Sequence, residues 1–324
     1  MKNMISTLLI LLFLLCIGFQ ILTNSNLVIE SVKTSMNLWK NNVVPSIFPY
    51  FILSEFLIYF GFTEFLSELL GPLMNKLFKM RGICSFIFIM SIFSGFPSNA
   101  KYTNELLNEH QINEDEASKI LLFSHFSNPM FILGTVSISF LKYKEIGPFI
   151  LFCHYIGNMI IGFLFRNYYP NIEHTSLSFK KACAKAHKKR KSNKQKLGVF
   201  FTSAIQKSLH TLLLMLGIIT TFSILTTIIT NYVNLPLCYQ SLLSGSLEMT
   251  QGLKSISLLA IPLKFKVIYS VMILSFGGLS VHMQMFSILD TKVKYFPFLV
   301  ARILHVLISS LLAYFLFNFY INLS

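Results

Sequence analysis

The chain has 324 residues, of which 54% are hydrophobic and only 12% charged. Soluble domains carry about 25% charged residues, so this composition excludes an ordinary soluble fold and marks an integral membrane protein. The formal net charge of +14 does not describe a nucleic-acid surface, because nine of the 27 Lys and Arg residues crowd between Lys180 and Lys196, where membrane orientation explains them.

In chain order, Lys2 precedes an apolar run over residues 4–22. It is long enough to span and no small-x-small cleavage site follows, so a retained first helix is expected. Residues 43–62 are apolar but contain Pro45, Pro49 and Glu55. Prolines four residues apart predict a kinked or locally unwound span. From 62 to 80, apolar residues recur at helical spacing with Glu64, Glu68, Asn75 and Lys76 between them. That pattern predicts an interfacial helix, bent at Gly71-Pro72. Residues 83–93 are too short to cross alone and run into Ser94-Gly95-Phe96-Pro97-Ser98-Asn99, then into the polar stretch 101–119. A segment that enters, breaks and leaves on one side is a re-entrant hairpin. Spans are predicted at 120–141 and 146–166, followed by the basic loop and a span at 209–230. A second hairpin is predicted at 235–262, and final spans at 267–289 and 296–320.

The second hairpin carries Ser244-Gly245-Ser246-Leu247-Glu248-Met249-Thr250-Gln251-Gly252. About 30 residues beyond each polar element lies a second interruption, Ser124-His125-Phe126-Ser127-Asn128-Pro129 in the first half and Ser275-Phe276-Gly277-Gly278-Leu279-Ser280 in the second. Backbone that leaves helical geometry at membrane depth must line a cavity or be buried in protein. Paired interruptions in two halves point to a secondary-transporter binding site.

With the basic loop in the cytoplasm and both polar elements treated as hairpins, only Lys33, Lys40, Lys142, Lys144, Lys254, Lys264 and Lys266 fall outside. Lys292 is among the residues that fall inside. The expected architecture is therefore all-α: about seven transmembrane helices plus two re-entrant hairpins, in two inverted gate-like repeats. Its segments are an N-terminal helix with an external linker (1–42), a first repeat (43–166), a basic cytoplasmic loop (167–203), a second repeat (204–294) and a C-terminal helix (295–324).

Candidate substrate-binding residues in the first half are Ser94, Gly95, Pro97, Ser98, Asn99 and Lys101, with Ser127 and Asn128. A Gly-x-Pro break frees backbone N–H groups at the start of a half-helix, which attract an anion, and Lys101 follows one turn later. In the second half they are Ser244, Gly245, Ser246, Glu248, Thr250 and Gln251, with Gly277, Gly278, Ser280 and Gln284. Glu248, a carboxylate at membrane depth, marks a functional site by default. It suits a coupling cation, a proton or a donor-bearing substrate, or else caps hairpin backbone. His125, His154, His210, His282 and His305 are expected to hydrogen-bond neighbouring helices. The five cysteines show no metal-ligand spacing and no nucleotide or hydrolase motif occurs, so neither metal, cofactor nor enzymatic activity is expected.

The succession Pro45-Ser46-Ile47-Phe48-Pro49, Ser94-Gly95-Phe96-Pro97, Ser127-Asn128-Pro129, Gly245 to Gly252 and Phe276-Gly277-Gly278-Leu279-Ser280 resembles the YlbJ family of sporulation integral membrane proteins. That family carries nucleoside-recognition gate domains, also found in spore maturation proteins and nucleoside transporters. The resemblance implies a multi-pass protein made in the mother cell of a spore-former, needed for the spore cortex and moving dipicolinic acid across the outer forespore membrane. The implied partners are a small anionic metabolite, a coupling proton or cation and the lipid bilayer, with no nucleic acid. Glu248 would repel a dianion, so it suits the coupling ion or the hairpin backbone. The alternatives are a transporter of nucleosides or other small metabolites, and a non-transporting scaffold for cortex assembly.

Overall fold

The computed structural model describes residues 2–173, 178–289 and 293–322, and all regular structure among them is helical. Lys292 lies outside the described residues. Helix α1 (Lys2–Thr23) exposes its leucines and isoleucines along its whole length, as a lipid-facing span does. Residues 25–42, within the segment expected to hold an external linker, are helical. Helix α2 (Ser25–Leu38) continues through a π-helical turn (Trp39–Val43) into α3 (Val44–Tyr59). The irregularity predicted by Pro45 and Pro49 is thus placed one turn earlier, as a widened turn. Widening leaves the prolines, which lack N–H groups, without disrupting the helix.

Helix α4 (Phe62–Phe78) runs unbroken through Gly71-Pro72 and does not lie bare on a membrane surface. Its polar face is covered by α9 (Phe179–Ser192), the helical part of the basic loop. Lys185 pairs with Glu68, and Lys189 lies 3.7 Å from Glu64. The basic segment is therefore a docked helix.

Two helical hairpins occur where the sequence places them. The first is α5 (Cys84–Ser94) and α6 (Ser98–Asn108), the second α11 (Leu237–Leu247) and α12 (Met249–Leu258). Each is followed by a broken helix. In the first half α7 (Glu114–Phe123), started by a reciprocal Asn113/Glu116 capping box, gives way at Ser124–Pro129 to a π-helical segment, Phe131–Phe140. In the second half α13 (Leu263–Phe276) breaks at Gly277 into α14 (Gly278–Phe286). A continuous span closes each half, α8 (Gly147–Leu164) and α15 (Tyr295–Ile321).

The opening span of the second half, α10 (Leu197–Tyr232), starts 12 residues before the expected 209. At 36 residues it is about 54 Å long, so it overshoots a bilayer core of about 30 Å. The extra turns carry Lys207. Packing follows a two-fold pattern: α3 lies on α10, α8 on α15, α7 on α15 and α13 on α8.

Candidate functional site

Each hairpin tip rests on the break of the helix that follows it. At the first tip Gly95 has φ +71°, and a Cβ there would stand 2.6 Å from the Asn128 backbone nitrogen. Only glycine allows both that conformation and that approach. The Phe96 N–H donates to the Phe126 carbonyl at 2.7 Å, tying tip to break. At the second junction the close-approach glycine sits on the break. Gly278 has φ +72°, and its Cβ would lie 2.9 Å from the Gly245 carbonyl oxygen and 3.0 Å from the Met249 nitrogen.

The polar backbone exposed by the breaks is satisfied by side chains of the continuous spans, as burial at membrane depth demands. From α8, Tyr155 donates to the Ser127 carbonyl at 3.0 Å and Asn158 donates to the His125 carbonyl at 3.0 Å. His154 Nε2 accepts from the Ser127 N–H at 3.0 Å, which leaves Nδ1 to donate towards the Ser275 hydroxyl at 3.3 Å. From α15, the wholly buried Arg302 donates to the Leu122 carbonyl in the last turn of α7, to Asn158 Oδ1 at 3.1 Å and to His305 Nδ1 at 3.1 Å. A cation there complements the negative end of the half-helix. His305 donates to the His154 carbonyl at 2.8 Å, and His282 donates to the Phe276 carbonyl at 2.9 Å. Three of the five histidines therefore hydrogen-bond across helices as expected. His210 is exposed, and neither ring nitrogen of the buried His125 has a partner.

Tips and breaks enclose a cavity of ≈ 40 Å³. Its polar wall comprises Ser127 and Asn128 from break 1, Glu248 and Thr250 from tip 2, Gln284 beyond break 2, and Ser46 from α3; Phe96 of tip 1 also lines it. Glu248 caps α12. One carboxylate oxygen accepts from the Thr250 hydroxyl at 2.7 Å, the other from the Gln251 N–H at 2.8 Å. Ser280 lies beside the same carboxylate, outside strict hydrogen-bonding geometry. No ion pair among the described residues includes Glu248.

The other residues singled out in the sequence form the frame. Ser94 donates to the Met90 carbonyl at 2.6 Å, and Ser98 to the Gly95 carbonyl. Pro97 caps α6 after a cis bond. Asn99 faces Met285 Sδ at 3.9 Å, with its carbonyl oxygen unpartnered. Ser244 donates to the Gln240 carbonyl, and Ser246 to the Leu243 carbonyl. The Gln251 side chain reaches the Ser223 carbonyl at 3.3 Å. Gly245 packs against Gly252, so that a Cβ on the latter would stand 2.1 Å from the former's Cα, and Gly277 abuts His125.

Lys101 departs from the sequence expectation. Its ammonium is not free for a ligand at the tip but lies 2.6 Å from Glu55 of α3 and 4.8 Å over the Phe51 ring. Sequence reasoning also missed Ser46, Met215 and Ile219 as cavity lining. Ser46 lay inside a noted proline pair, whereas nothing local distinguishes Met215 and Ile219 from lipid-facing residues of α10.

A family model for nucleoside-recognition gate domains matches residues 41–144, which takes in α3, the first hairpin and the first break. The chain is 34% identical over 326 residues to the sporulation integral membrane protein YlbJ of Bacillus subtilis (strain 168), with 93% of this chain and 80% of that protein covered. No solved structure matches.

Proposed function

The chain belongs to the YlbJ family of sporulation integral membrane proteins, and from that premise we propose that it is a secondary transporter moving dipicolinate, a small aromatic dianion, across the outer forespore membrane. The observation that carries this reading is one mainly apolar cavity lined by both tips, by the first break and by the helix beyond the second, with the buried carboxylate of Glu248 in its wall. Each half contributes three crossings if its hairpin returns to the side it entered, so the halves would run in opposite directions, an arrangement shared by many alternating-access transporters.

A cavity of ≈ 40 Å³ admits water or a small cation. An aromatic dianion needs the tips to separate first, which makes the tip–break contacts the moving parts. Glu248 would repel a dianion, and its role in this reading is to take up the coupling proton or cation. Desolvating a carboxylate costs several kcal/mol. Its two protein donors return about 1.5–3 kcal/mol each, so a proton or cation in the adjoining cavity tips the balance between cycle states.

The test is uptake of pyridine-2,6-dicarboxylate into proteoliposomes with and without proton and sodium gradients. Gradient-driven accumulation is the expected result. Accumulation of nucleosides in its place would replace the solute, as the gate-domain likeness allows. Absence of any solute flux would favour a scaffold.

A further inference from the structure

A second cavity, of ≈ 430 Å³, opens on the side of the basic helix between α3, α6 and α10. Lys189 of α9 lines it, which by the positive-inside rule places it at the cytoplasmic face. Its walls carry the acidic Glu55, Glu105 and Glu109 and the basic Lys189 and Lys207, with Lys189 3.6 Å from Glu109. Lys207 reaches Glu55 at 3.4 Å and Glu105 at 3.7 Å, and Lys101, just behind, holds the other oxygen of Glu55 at 2.6 Å. Glu55 and Lys101 are almost wholly buried, whereas the Lys207 side chain is 55% exposed.

The same two helices, α3 and α10, line both this cavity and the central one. On α3 the central cavity touches Ser46 and Ile47, and the outer one Glu55 and Tyr59; on α10 the pairs are Met215 and Ile219, then Ser203 and Lys207. Lys207 and Met215 are about 12 Å apart along the helix. Along α3 and α10, the residues between the two cavities include the buried Phe51 and Ser54 and the buried Ser208 and Leu212; Phe51 and Leu212 share one apolar cluster, and the Lys101 ammonium stands over the Phe51 ring.

We propose that this crevice is the cytoplasmic binding vestibule and access route for the carboxylate of the transported solute, closed here by the Lys101–Glu55–Lys207 ion pairs over the Phe51–Leu212 contact. The proposal deepens the transport reading and rests on it for the class of solute. Removing one partner of a buried ion pair is costly, whereas exchanging partners keeps the charges compensated. Lys207 is half in solvent and holds both its carboxylates at long range, so an incoming carboxylate takes it over at least cost. Glu55 then keeps Lys101 alone, the partly exposed Glu105 gives up its Lys207 contact to solvent, and the seam between α3 and α10 loses one of its ties.

The experiment places single cysteines in the full chain, with its five native cysteines replaced, and reads labelling by a membrane-impermeant maleimide in proteoliposomes. Ser208→Cys, at the buried seam next to the crevice, reports its opening, and Gln240→Cys reports the cavity of ≈ 370 Å³ beside hairpin 2. Glu55→Gln should speed labelling at Ser208→Cys about tenfold, as loss of one closing interaction does to an open–closed equilibrium, and leave Gln240→Cys unchanged. Lys207→Gln, at a half-exposed site that the fold tolerates, should act in the same direction. Unchanged labelling at Ser208→Cys, or an equal rise at both reporters, would overturn the route. Pyridine-2,6-dicarboxylate should speed Ser208→Cys labelling while the corresponding dialcohol does not. If the variants behave as expected but only a nucleoside speeds labelling, carboxylate exchange falls and the route stands.

Discussion

The first hairpin tip bears no charged side chain, and the second bears Glu248. Behind the tips the distribution reverses. The exit limb α6 carries Lys101 and Glu105 in an ion-pair cluster with Glu55 and Lys207, whereas the cavity beside the second hairpin is walled by Thr230, Gln240, Ser241 and Ser244. No ion pair among the described residues involves a group beyond Lys207. Two halves with one plan of hairpin on break therefore hold their charge at different depths. Charge at a tip acts on whatever occupies the central cavity. In the proposed route, charge behind a tip sets whether that cavity communicates with one side of the membrane.

The sharpest way to break this comparison is Glu248→Gln. The amide keeps the shape and one acceptor, which can serve the Gln251 N–H while its NH2 donates to the Thr250 hydroxyl oxygen, so the hairpin should assemble, but it cannot ionise. Solute uptake should fall to background at unchanged protein level, while Ser98→Ala, at the uncharged first tip, retains uptake. Normal uptake by Glu248→Gln with unaltered pH and cation dependence would leave Glu248 as a cap only.

Next in size is Gly252→Val. The limbs of the second hairpin meet at Gly245 and Gly252, where a Cβ would stand 2.1 Å from backbone, so no rotamer change relieves it. A loss of about 3 kcal/mol or more is expected, read as a lowered melting temperature in detergent. Gly217→Val, which faces open space on α10, should leave it unchanged. Equal effects would mean that the limbs are not clamped together.

The tips and breaks were legible in the sequence because glycine, proline and an acidic residue inside apolar runs violate the local rule for a span. The side chains that satisfy the broken backbone were only partly legible. His154, His282 and His305 stood out as membrane histidines, but Arg302 and Asn158 acquire their meaning from the rotational setting of α15 and α8 against α7, which no local pattern encodes. The same holds for Met215 and Ile219, ordinary residues of an apolar helix until α3 packs opposite them. The docking of α9 was hidden for a different reason. A lysine-rich segment reads as solvated or lipid-facing, and its acidic partners on α4 lie more than a hundred residues earlier in the chain.

A smaller effect is expected at Lys101. Lys101→Ala strands the buried Glu55 carboxylate with the longer contact to Lys207 and should cost about 3 kcal/mol. Lys101→Met combined with Glu55→Met should recover most of that, because the desolvation of both charges disappears together. If the double variant is no more stable than Lys101→Ala alone, the pair is not what holds α6 to α3.

The smallest effect is expected at the corresponding limb of the second hairpin. Lys254 lies on α12 much as Lys101 lies on α6, following its tip at a short helical interval, and positive charge is the property they share. Their surroundings differ. Lys101 is buried against Phe51 and Glu55, whereas Lys254 is exposed and takes part in no ion pair among the described residues. Lys254→Ala should therefore shift stability by no more than about 0.5 kcal/mol and leave uptake unchanged, with any residual effect screened by salt. Melting temperature and uptake measured side by side for Lys254→Ala and Lys101→Ala decide the matter. Should Lys254→Ala stop uptake as completely as a change at the buried pair, the two limbs would be functionally alike, and charge behind a tip would no longer distinguish the cytoplasmic half from the external one.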